Sequence, residues 1–123
     1  MKFKIETDEY GTKLYYANNV LHREDGPAIE YANGNKVWIK NGLTHRQNGP
    51  AVQYTDGTKI WYKNGLFHRE DGPAFEKANG DKFWFIKGKN LTEKQFKIVN
   101  QYNNLLSCNK KYEDIEIIIS FTL

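Results

Sequence analysis

Cysteine, long apolar runs and a strong surplus of one charge are all missing from this 123-residue chain, and each absence excludes a class of protein. The single cysteine, Cys108, cannot form an internal disulfide, which excludes a disulfide-stapled scaffold and fits a reducing compartment. No apolar run approaches the length of about 18 residues that a transmembrane helix needs, and the N-terminus alternates like a strand instead of forming a signal-peptide core. We therefore expect a cytoplasmic protein without a membrane span.

Basic and acidic residues nearly balance, with 18 lysines and arginines against 15 aspartates and glutamates. The net charge of +3 is too small for a protein that wraps a nucleic acid duplex, and the basic surplus lies in residues 81–111. Aromatic residues make up 15% of the chain, so few but large side chains are expected to form the core of one small domain.

Every arginine, histidine and proline of the chain falls in one motif that recurs at a spacing of 23 residues. The motif reads His-Arg-Glu-Asp-Gly-Pro-Ala from His22 and from His68, and His-Arg-Gln-Asn-Gly-Pro-Ala from His45. Three tandem copies of one supersecondary unit predict a repeat architecture over most of the protein.

Turn signals and β-prone segments predict the fold of each repeat. Asn41-Gly42 and Asn64-Gly65 are typical of two-residue hairpin turns, in which both central residues adopt positive φ. Between the turns lie short segments rich in β-branched and aromatic residues, such as 59–63. Similar turns are expected between repeats at Asn33-Gly34, Asp56-Gly57 and Asn79-Gly80. We predict a mainly β fold, a single-layer antiparallel meander of 23-residue hairpin repeats over residues 1–90.

The turn positions also predict which residues face each other across the strands. With Asn41-Gly42 as the turn, Trp38 opposes His45, and with Asp56-Gly57 as the turn, Trp61 opposes Val52. Strand alternation then divides the apolar side chains between two faces of the sheet. One face receives Trp38, Trp61, Trp84, the histidines, Ile29, Val52 and Phe75. The other receives Leu14, Val37, Ile60, Phe83, Tyr16, Ile39, Tyr62 and Phe85.

The repeat period ends after Gly88, and the remaining residues predict a helix and a final strand. Thr92 and Gln95 have the spacing of a capping box, and apolar residues follow at helical intervals over roughly 92–106. We expect a helix that caps one sheet face or the open end of the array. The apolar segment 115–123 is expected to pair as a strand inside the fold or with a second copy, which favours a homodimer. Residues 91–123 are expected to form one domain with the repeats.

The spacing of these residues resembles the MORN repeat family. The segments from Trp38 to Trp61 and from Trp61 to Trp84 both follow Trp-x-x-Asn-Gly-x-x-His, and Tyr-x-Asp-Gly-x-Lys-x-Trp completes the first of them. The resemblance implies hairpins stacked into an elongated sheet over about 11–90. The His-Arg-x-Asp-Gly-Pro-Ala variant resembles repeats of phage and giant-virus proteins, which implies a host protein as partner and, in its sharpest form, inhibition of a host defence protein.

The recurring histidines do not predict a metal site. Equivalent positions are two strands apart, about 10 Å at a strand spacing of about 4.8 Å, whereas each zinc ligand lies about 2 Å from its metal. Each histidine is instead expected to pack against its cross-strand Trp or Tyr and to hydrogen-bond in the turn that follows it, and each arginine to pair with the acid two residues on. We assign this structural role, without a cofactor, to His22, Arg23, Asp25, His45, Arg46, Asn48, His68, Arg69 and Asp71.

Catalytic activity is not expected. The two serines, Ser107 and Ser120, lie outside the repeats. A catalytic constellation combines unlike residues in different roles, whereas the polar residues here recur in every unit.

Aromatic residues flanked by lysines indicate a binding surface. A sheet with two aromatic faces and one helix leaves apolar area for a partner protein. The predicted partner-binding residues are Trp38, Trp61, Trp84, Lys40 and Lys63. If the helix covers that face, the exposed set is instead Tyr16, Ile39, Tyr62 and Phe85. The alternative function is binding of single-stranded nucleic acid or RNA, because aromatic planes with basic rims stack bases.

Overall fold

The computed structural model describes residues 1–103 and shows a mainly β protein that ends in one helix. Within that range there are 14 strands, and helix α1 spans Glu93–Asn103. The strands are β1 (Phe3–Thr7), β2 (Lys13–Ala17), β3 (Val20–Leu21), β4 (Ile29–Glu30), β5 (Lys36–Val37), β6 (Ile39–Lys40), β7 (Leu43–Thr44), β8 (Val52–Gln53), β9 (Lys59–Ile60), β10 (Tyr62–Lys63), β11 (Leu66–Phe67), β12 (Phe75–Glu76), β13 (Lys82–Ile86) and β14 (Lys89–Leu91). The predicted strand at 115–123 lies outside the described residues.

The strands form an antiparallel meander, as predicted. The main sheet has the order β1-β2-β4-β5-β8-β9-β12-β13-β14, with β3 beside β2. The remaining strands form the two hairpins β6-β7 and β10-β11. Strand order follows chain order, and the repeats that contain Trp38 and Trp61 each add a separate hairpin beside the main sheet.

The chain passes from the main sheet to a hairpin at a tryptophan. β5 pairs with β4 and β8, whereas β6, one residue further on, pairs with β7. Trp38 lies between them, donating its backbone N–H to the Ala51 carbonyl at 2.7 Å and accepting from the His45 N–H at 3.0 Å. The equivalent bonds of Trp61 join Ala74 and His68. The backbone of each tryptophan is therefore hydrogen-bonded on both sides and joins a strand of the main sheet to the hairpin that follows it.

Two kinds of turn separate the strands, and only one matches the prediction. Asn41 and Gly42 have φ of 51° and 79°, which confirms the two-residue hairpin turn. In the turn after β8, by contrast, only Gly57 has positive φ, and the Tyr54 N–H donates to the Thr58 carbonyl at 2.9 Å. Tyr54 and Thr58 are therefore the last hydrogen-bonded pair, and the three residues 55–57 form the loop between them. The predicted two-residue turn was wrong.

The extra loop residue changes which side chains share a face. Val52 opposes Ile60, and not Trp61 as predicted. Because a shift of one residue moves a side chain to the opposite face, the prediction that placed Ile29, Val52 and Phe75 with the tryptophans was wrong. These three side chains lie with Val37, Ile60 and Phe83, their cross-strand partners. Alternation places the fully buried alanines of the repeats, Ala28, Ala51 and Ala74, on the tryptophan face instead.

Aromatic rings join the hairpins to the main sheet on the face opposite the tryptophans. The Phe67 ring of β11 lies 4.8 Å from the rings of Tyr62 and Phe85, measured between centroids. It also lies 6.3 Å from Phe75, which belongs to the main sheet. One apolar cluster therefore spans both ladders on this face.

Helix α1 begins as predicted and covers the end of the array. The Thr92 N–H donates to Gln95 Oε1 at 2.9 Å, and the Gln95 N–H donates to Thr92 Oγ1 at 3.1 Å, which confirms the capping box. Phe96 and Val99 form a buried cluster with two residues of the last hairpin, and Trp84 packs against this cluster. The helix therefore covers the tryptophan face at the final repeat.

Candidate functional site

Each arginine of the repeated motif lies over an aromatic ring of its own repeat. We call residues 22–28, 45–51 and 68–74 the first, second and third arginine loops. The guanidinium carbon stands at less than 4 Å from the ring centroid in all three, the geometry of a cation–π contact. The distances are 3.9 Å for Arg23 over Tyr15, 3.9 Å for Arg46 over Trp38 and 3.8 Å for Arg69 over Trp61.

The glycine and proline of the motif hold the arginine from the other side. A Cβ atom placed on Gly72 would come within 2.9 Å of Arg69 Cζ, so the absence of a side chain lets the guanidinium lie there. Arg69 Nη1 also donates to the Pro73 carbonyl at 3.1 Å, a bond that recurs at the same length in the other two loops. The His-Arg-x-x-Gly-Pro-Ala motif is therefore a clamp on an arginine side chain.

Carboxylates complete this clamp in the first and third loops. Arg23 Nε donates to Asp25 at 2.9 Å, and its Nη1 donates to Glu30 at 2.8 Å. Arg69 donates in the same way to Asp71 at 2.7 Å and to Glu76 at 3.1 Å. Two charge-assisted bonds thus neutralise each of these guanidinium groups within the chain.

The histidines connect each repeat to the next one. His22 Nδ1 accepts the backbone N–H of Asn41 at 2.9 Å, and His45 Nδ1 accepts that of Asn64 at 3.0 Å. His68 makes the equivalent bond to the N–H of Lys87 at 2.9 Å. Since Nδ1 accepts in each bond, it carries no proton there.

Two of the histidines, His45 and His68, have a lowered pKa, which favours their neutral form. Burial lowers the pKa of His45, and the nearby cations Lys63 and Lys40 lower it further. Burial also lowers the pKa of His68, against the opposing effect of Glu70. In residues 1–103 no three side chains of the His, Cys, Asp and Glu types are grouped so that they could hold a metal ion. Over the same residues no helix is long and apolar enough to cross a membrane.

The second repeat differs from its neighbours at each acidic position in and just after the arginine loop. Gln47, Asn48 and Gln53 stand where the first repeat has Glu24, Asp25 and Glu30 and the third has Glu70, Asp71 and Glu76. Arg46 keeps its ring contact and its bond to the Pro50 carbonyl. No carboxylate of the described residues forms an ion pair with it. The loop backbone differs too, because Gly49 has φ of 131°, whereas Gly26 and Gly72 do not have positive φ.

The missing acids leave Arg46 in a different electrostatic state from Arg23. Burial alone would lower the pKa of Arg23, but the bonds to Asp25 and Glu30 outweigh it and raise that pKa. Burial lowers the pKa of Arg46, with no opposing carboxylate. Arg46 is therefore a partly desolvated cation without a counter-charge in the part of the chain that the structure describes.

A cleft of about 570 Å³ lies between the second and third arginine loops. Arg46 and Lys63 line it, together with the half-buried Trp61. Lys63 also lacks the acidic neighbour that its equivalent has. In the preceding repeat the Nζ of Lys40 lies 3.6 Å from a carboxylate oxygen of Glu24, and one repeat later Gln47 takes the place of that glutamate. The cleft also contains the two acids of the third loop, Glu70 and Asp71. We refer to this feature as the interloop cleft.

The predicted partner-binding residues are not gathered on one surface. Trp61 and Lys63 line the interloop cleft, but Trp38 is half-buried beneath Arg46 and Trp84 packs against the helix cluster. Lys40 is exposed and paired with Glu24. The alternative set is not exposed either, because Ile39 is buried and the other members are half-buried: Tyr16, Tyr62 and Phe85.

Sequence reasoning missed the residues that make the interloop cleft distinctive. It assigned Arg46 and Asn48 the same structural role as the corresponding residues of the other two copies. The signal was readable in the sequence as the loss of all three acids, at positions 47, 48 and 53, from one copy only. Its meaning depended on the cleft, which forms between loops of neighbouring repeats.

Comparison with known proteins found no matching protein-family model, no similar curated protein and no similar solved structure.

Proposed function

We propose that this chain is a MORN-like repeat protein that binds another protein through the interloop cleft and has no catalytic activity. The observation that carries the proposal is the placement of two cations without acidic partners, Arg46 and Lys63, beside the half-buried ring of Trp61. Arginine and tryptophan are enriched among the residues that dominate protein–protein binding energy. A cleft that contains both therefore favours a protein partner.

The proposed partner is a host protein that the chain meets in the cytoplasm. This part rests on the resemblance of the His-Arg-x-Asp-Gly-Pro-Ala repeats to those of phage and giant-virus proteins. Its most specific form is inhibition of a host defence protein. A second copy of the chain, joined through residues 115–123, is a further proposed partner.

Binding of single-stranded nucleic acid is the competing function, and the charges of the neighbouring loops disfavour it. Glu24 and Asp25 on one side and Glu70 and Asp71 on the other have side chains that are at least half exposed. A phosphate backbone that follows the row of arginine loops would meet these carboxylates on both sides of Arg46. Such binders need a basic groove along the strand.

Affinity capture from a bacterial lysate, with and without nuclease, tests the proposal. We expect one stoichiometric protein whose recovery does not depend on nuclease and falls strongly for Lys63→Glu. The matched control is Lys94→Glu, which reverses the charge of an exposed lysine of α1 that does not line the interloop cleft. Equal recovery by both variants would contradict binding at the cleft, and recovery that nuclease abolishes would favour the nucleic acid function.

A further inference from the structure

We propose that the interloop cleft binds a single carboxylate group, supplied by an aspartate or glutamate side chain of the partner protein and held by Arg46 and Lys63. The proposal rests on the proposed protein-binding function and specifies the chemistry of the partner.

In the first and third repeats, the arginine equivalent to Arg46 binds carboxylate groups of the chain itself. There, an internal carboxylate accepts from the arginine Nε at 2.9 Å and 2.7 Å, and a second accepts from Nη1 at 2.8 Å and 3.1 Å. The equivalent positions of the second repeat carry the amides Asn48 and Gln53. Arg46 makes one side-chain hydrogen bond within the described residues, to the Pro50 carbonyl. Its remaining donors fit the bidentate geometry with which arginine binds a carboxylate.

The guanidinium of Arg46 is held in place before any ligand arrives. The Trp38 ring lies 3.9 Å from its Cζ on one side, and Gly49 is so close on the other that an added Cβ would lie at 3.1 Å. A fixed side chain loses little conformational entropy on binding, so more of the interaction energy appears as affinity. Partial burial also makes a counter-charge more favourable than at a fully hydrated arginine.

The charge of the lining selects one carboxylate over a phosphate chain. Three cations and two carboxylates line the interloop cleft, namely Arg46, Lys63, Arg69, Glu70 and Asp71. The surplus is one positive charge when His68 is neutral, which a single carboxylate balances. A phosphate chain would bring further negative charges against Glu70 and Asp71, and like charges at close range are unfavourable.

Nuclear magnetic resonance of the arginine Nε–H groups tests the proposal, because the three arginines are internal controls for one another. Sodium acetate, inorganic phosphate and a ten-residue thymidine oligonucleotide serve as probes at constant ionic strength. We expect acetate to shift the Arg46 signal in a saturable manner, to shift that of Arg69, which also lines the interloop cleft, by less, and to leave that of Arg23, which does not line it, in place. The variant Gln47→Glu, Asn48→Asp, Gln53→Glu gives the second repeat the acids of its neighbours, and we expect it to weaken acetate binding at least about tenfold.

The possible results separate this proposal from the proposed function. Equal shifts at all three arginines, an unchanged response of the triple variant, or tighter binding of the oligonucleotide or phosphate than of acetate would each overturn the carboxylate site. Lys63→Ala provides a second test that leaves the arginine clamp intact, and we expect it to weaken acetate binding as well. If the triple variant captures the partner as wild type does, protein binding stands and the carboxylate proposal fails. If acetate binds at Arg46 while wild type captures no protein, the site stands and the proposed function fails.

Discussion

At the scale of single residues, the residues of the repeated motif are explained by the contacts that hold its arginine side chain over an aromatic ring. The ring supplies one side of the clamp, a glycine without Cβ supplies the other, and the carbonyl of the next proline accepts a hydrogen bond. Sequence reasoning predicted the arginine–acid pairs from their spacing but not the ring contact. The hairpin register that sets Trp61 opposite His68 follows from the Asn-Gly turn, but the position of the Arg69 side chain over that ring does not.

Gly72→Ala tests the clamp directly. The backbone tolerates alanine because Gly72 does not have positive φ, but its Cβ would come within 2.9 Å of Arg69 Cζ. We expect the guanidinium to be displaced from the Trp61 ring and the free energy of unfolding to fall by about 1–2 kcal/mol. Denaturant titration measures the fall. In an Arg69→Ala background the same change should cost much less, and equal costs in both backgrounds would contradict the clamp.

At the scale of elements, local sequence predicted the hairpins better than the loops between repeats. Asn41-Gly42 requires positive φ at both residues, and the structure has it. Asp56-Gly57 looks alike in sequence, but only its glycine has positive φ, and Asp56 Oδ1 accepts the Thr58 N–H at 2.8 Å. The register that follows pairs Val52, a buried residue, with Ile60. The Asn-Gly or Asp-Gly dipeptide alone therefore does not distinguish the two kinds of turn, and the pairing of buried residues on the neighbouring strands favours the longer one.

The histidine bonds between repeats predict that acid weakens the array well before the carboxylates titrate. The pKa of His45 is lowered by burial and by Lys63 and Lys40, so the unfolded chain takes up a proton at this residue at a higher pH than the folded chain does. Its contribution is present above the unfolded pKa of about 6.5 and is lost as the pH falls through the folded pKa. Protonated Nδ1 also cannot accept the Asn64 N–H. We expect the temperature at the midpoint of thermal unfolding to fall as the pH is lowered from about 7.5 to about 5.5.

His45→Asn is the matched variant for this pH dependence. Asparagine keeps a side-chain acceptor near the position of Nδ1 but does not titrate. The fall in thermal midpoint should therefore be smaller in the variant, with His68 accounting for a part that remains. The carboxyl pKa values of Asp25 and Glu30 are below their usual range, so these groups titrate at still lower pH. A wild-type midpoint that stays constant or rises over this interval would show that the histidine bonds do not contribute as argued.

At the scale of the whole molecule, three similar repeats end in a fourth that exchanges its motif for a helix. Leu91 and Thr92 stand 23 residues after His68 and Arg69. Leu91 is buried where the histidine would be, and Thr92 caps α1, which brings Phe96 and Val99 into the cluster against which Trp84 packs. The cluster that the helix forms thus packs against Trp84, whereas in the other repeats an arginine lies over the equivalent aromatic ring. The capping box made this helix predictable, whereas the interloop cleft arises between repeats and had no counterpart in any single motif.

Self-association remains a prediction of the sequence at this scale. Residues 115–123, outside the described range, have the apolar composition of a strand that would pair with a second copy. We expect light scattering to give a mass near twice the chain mass of 14.4 kDa at micromolar concentration. Ile117→Lys, within this apolar segment, should return the mass to that of one chain. A wild-type mass near 14.4 kDa under the same conditions would contradict the dimer.

Removing one buried side chain of the cap should show how far stability spreads along the array. Phe96 is 6% exposed in the cluster beneath α1, and Phe96→Ala should lower the free energy of unfolding by about 3 kcal/mol or more. In a repeat array each unit is stabilised mainly by its neighbours, so the loss should be greatest near the cap. We expect hydrogen exchange to accelerate most in β13 and β14 and least in β1 and β2, with Lys94→Ala, at an exposed helix position, as the control. Uniform acceleration along the chain would mean that the repeats unfold as a single cooperative unit, because destabilisation at the cap would then reach the first strands undiminished.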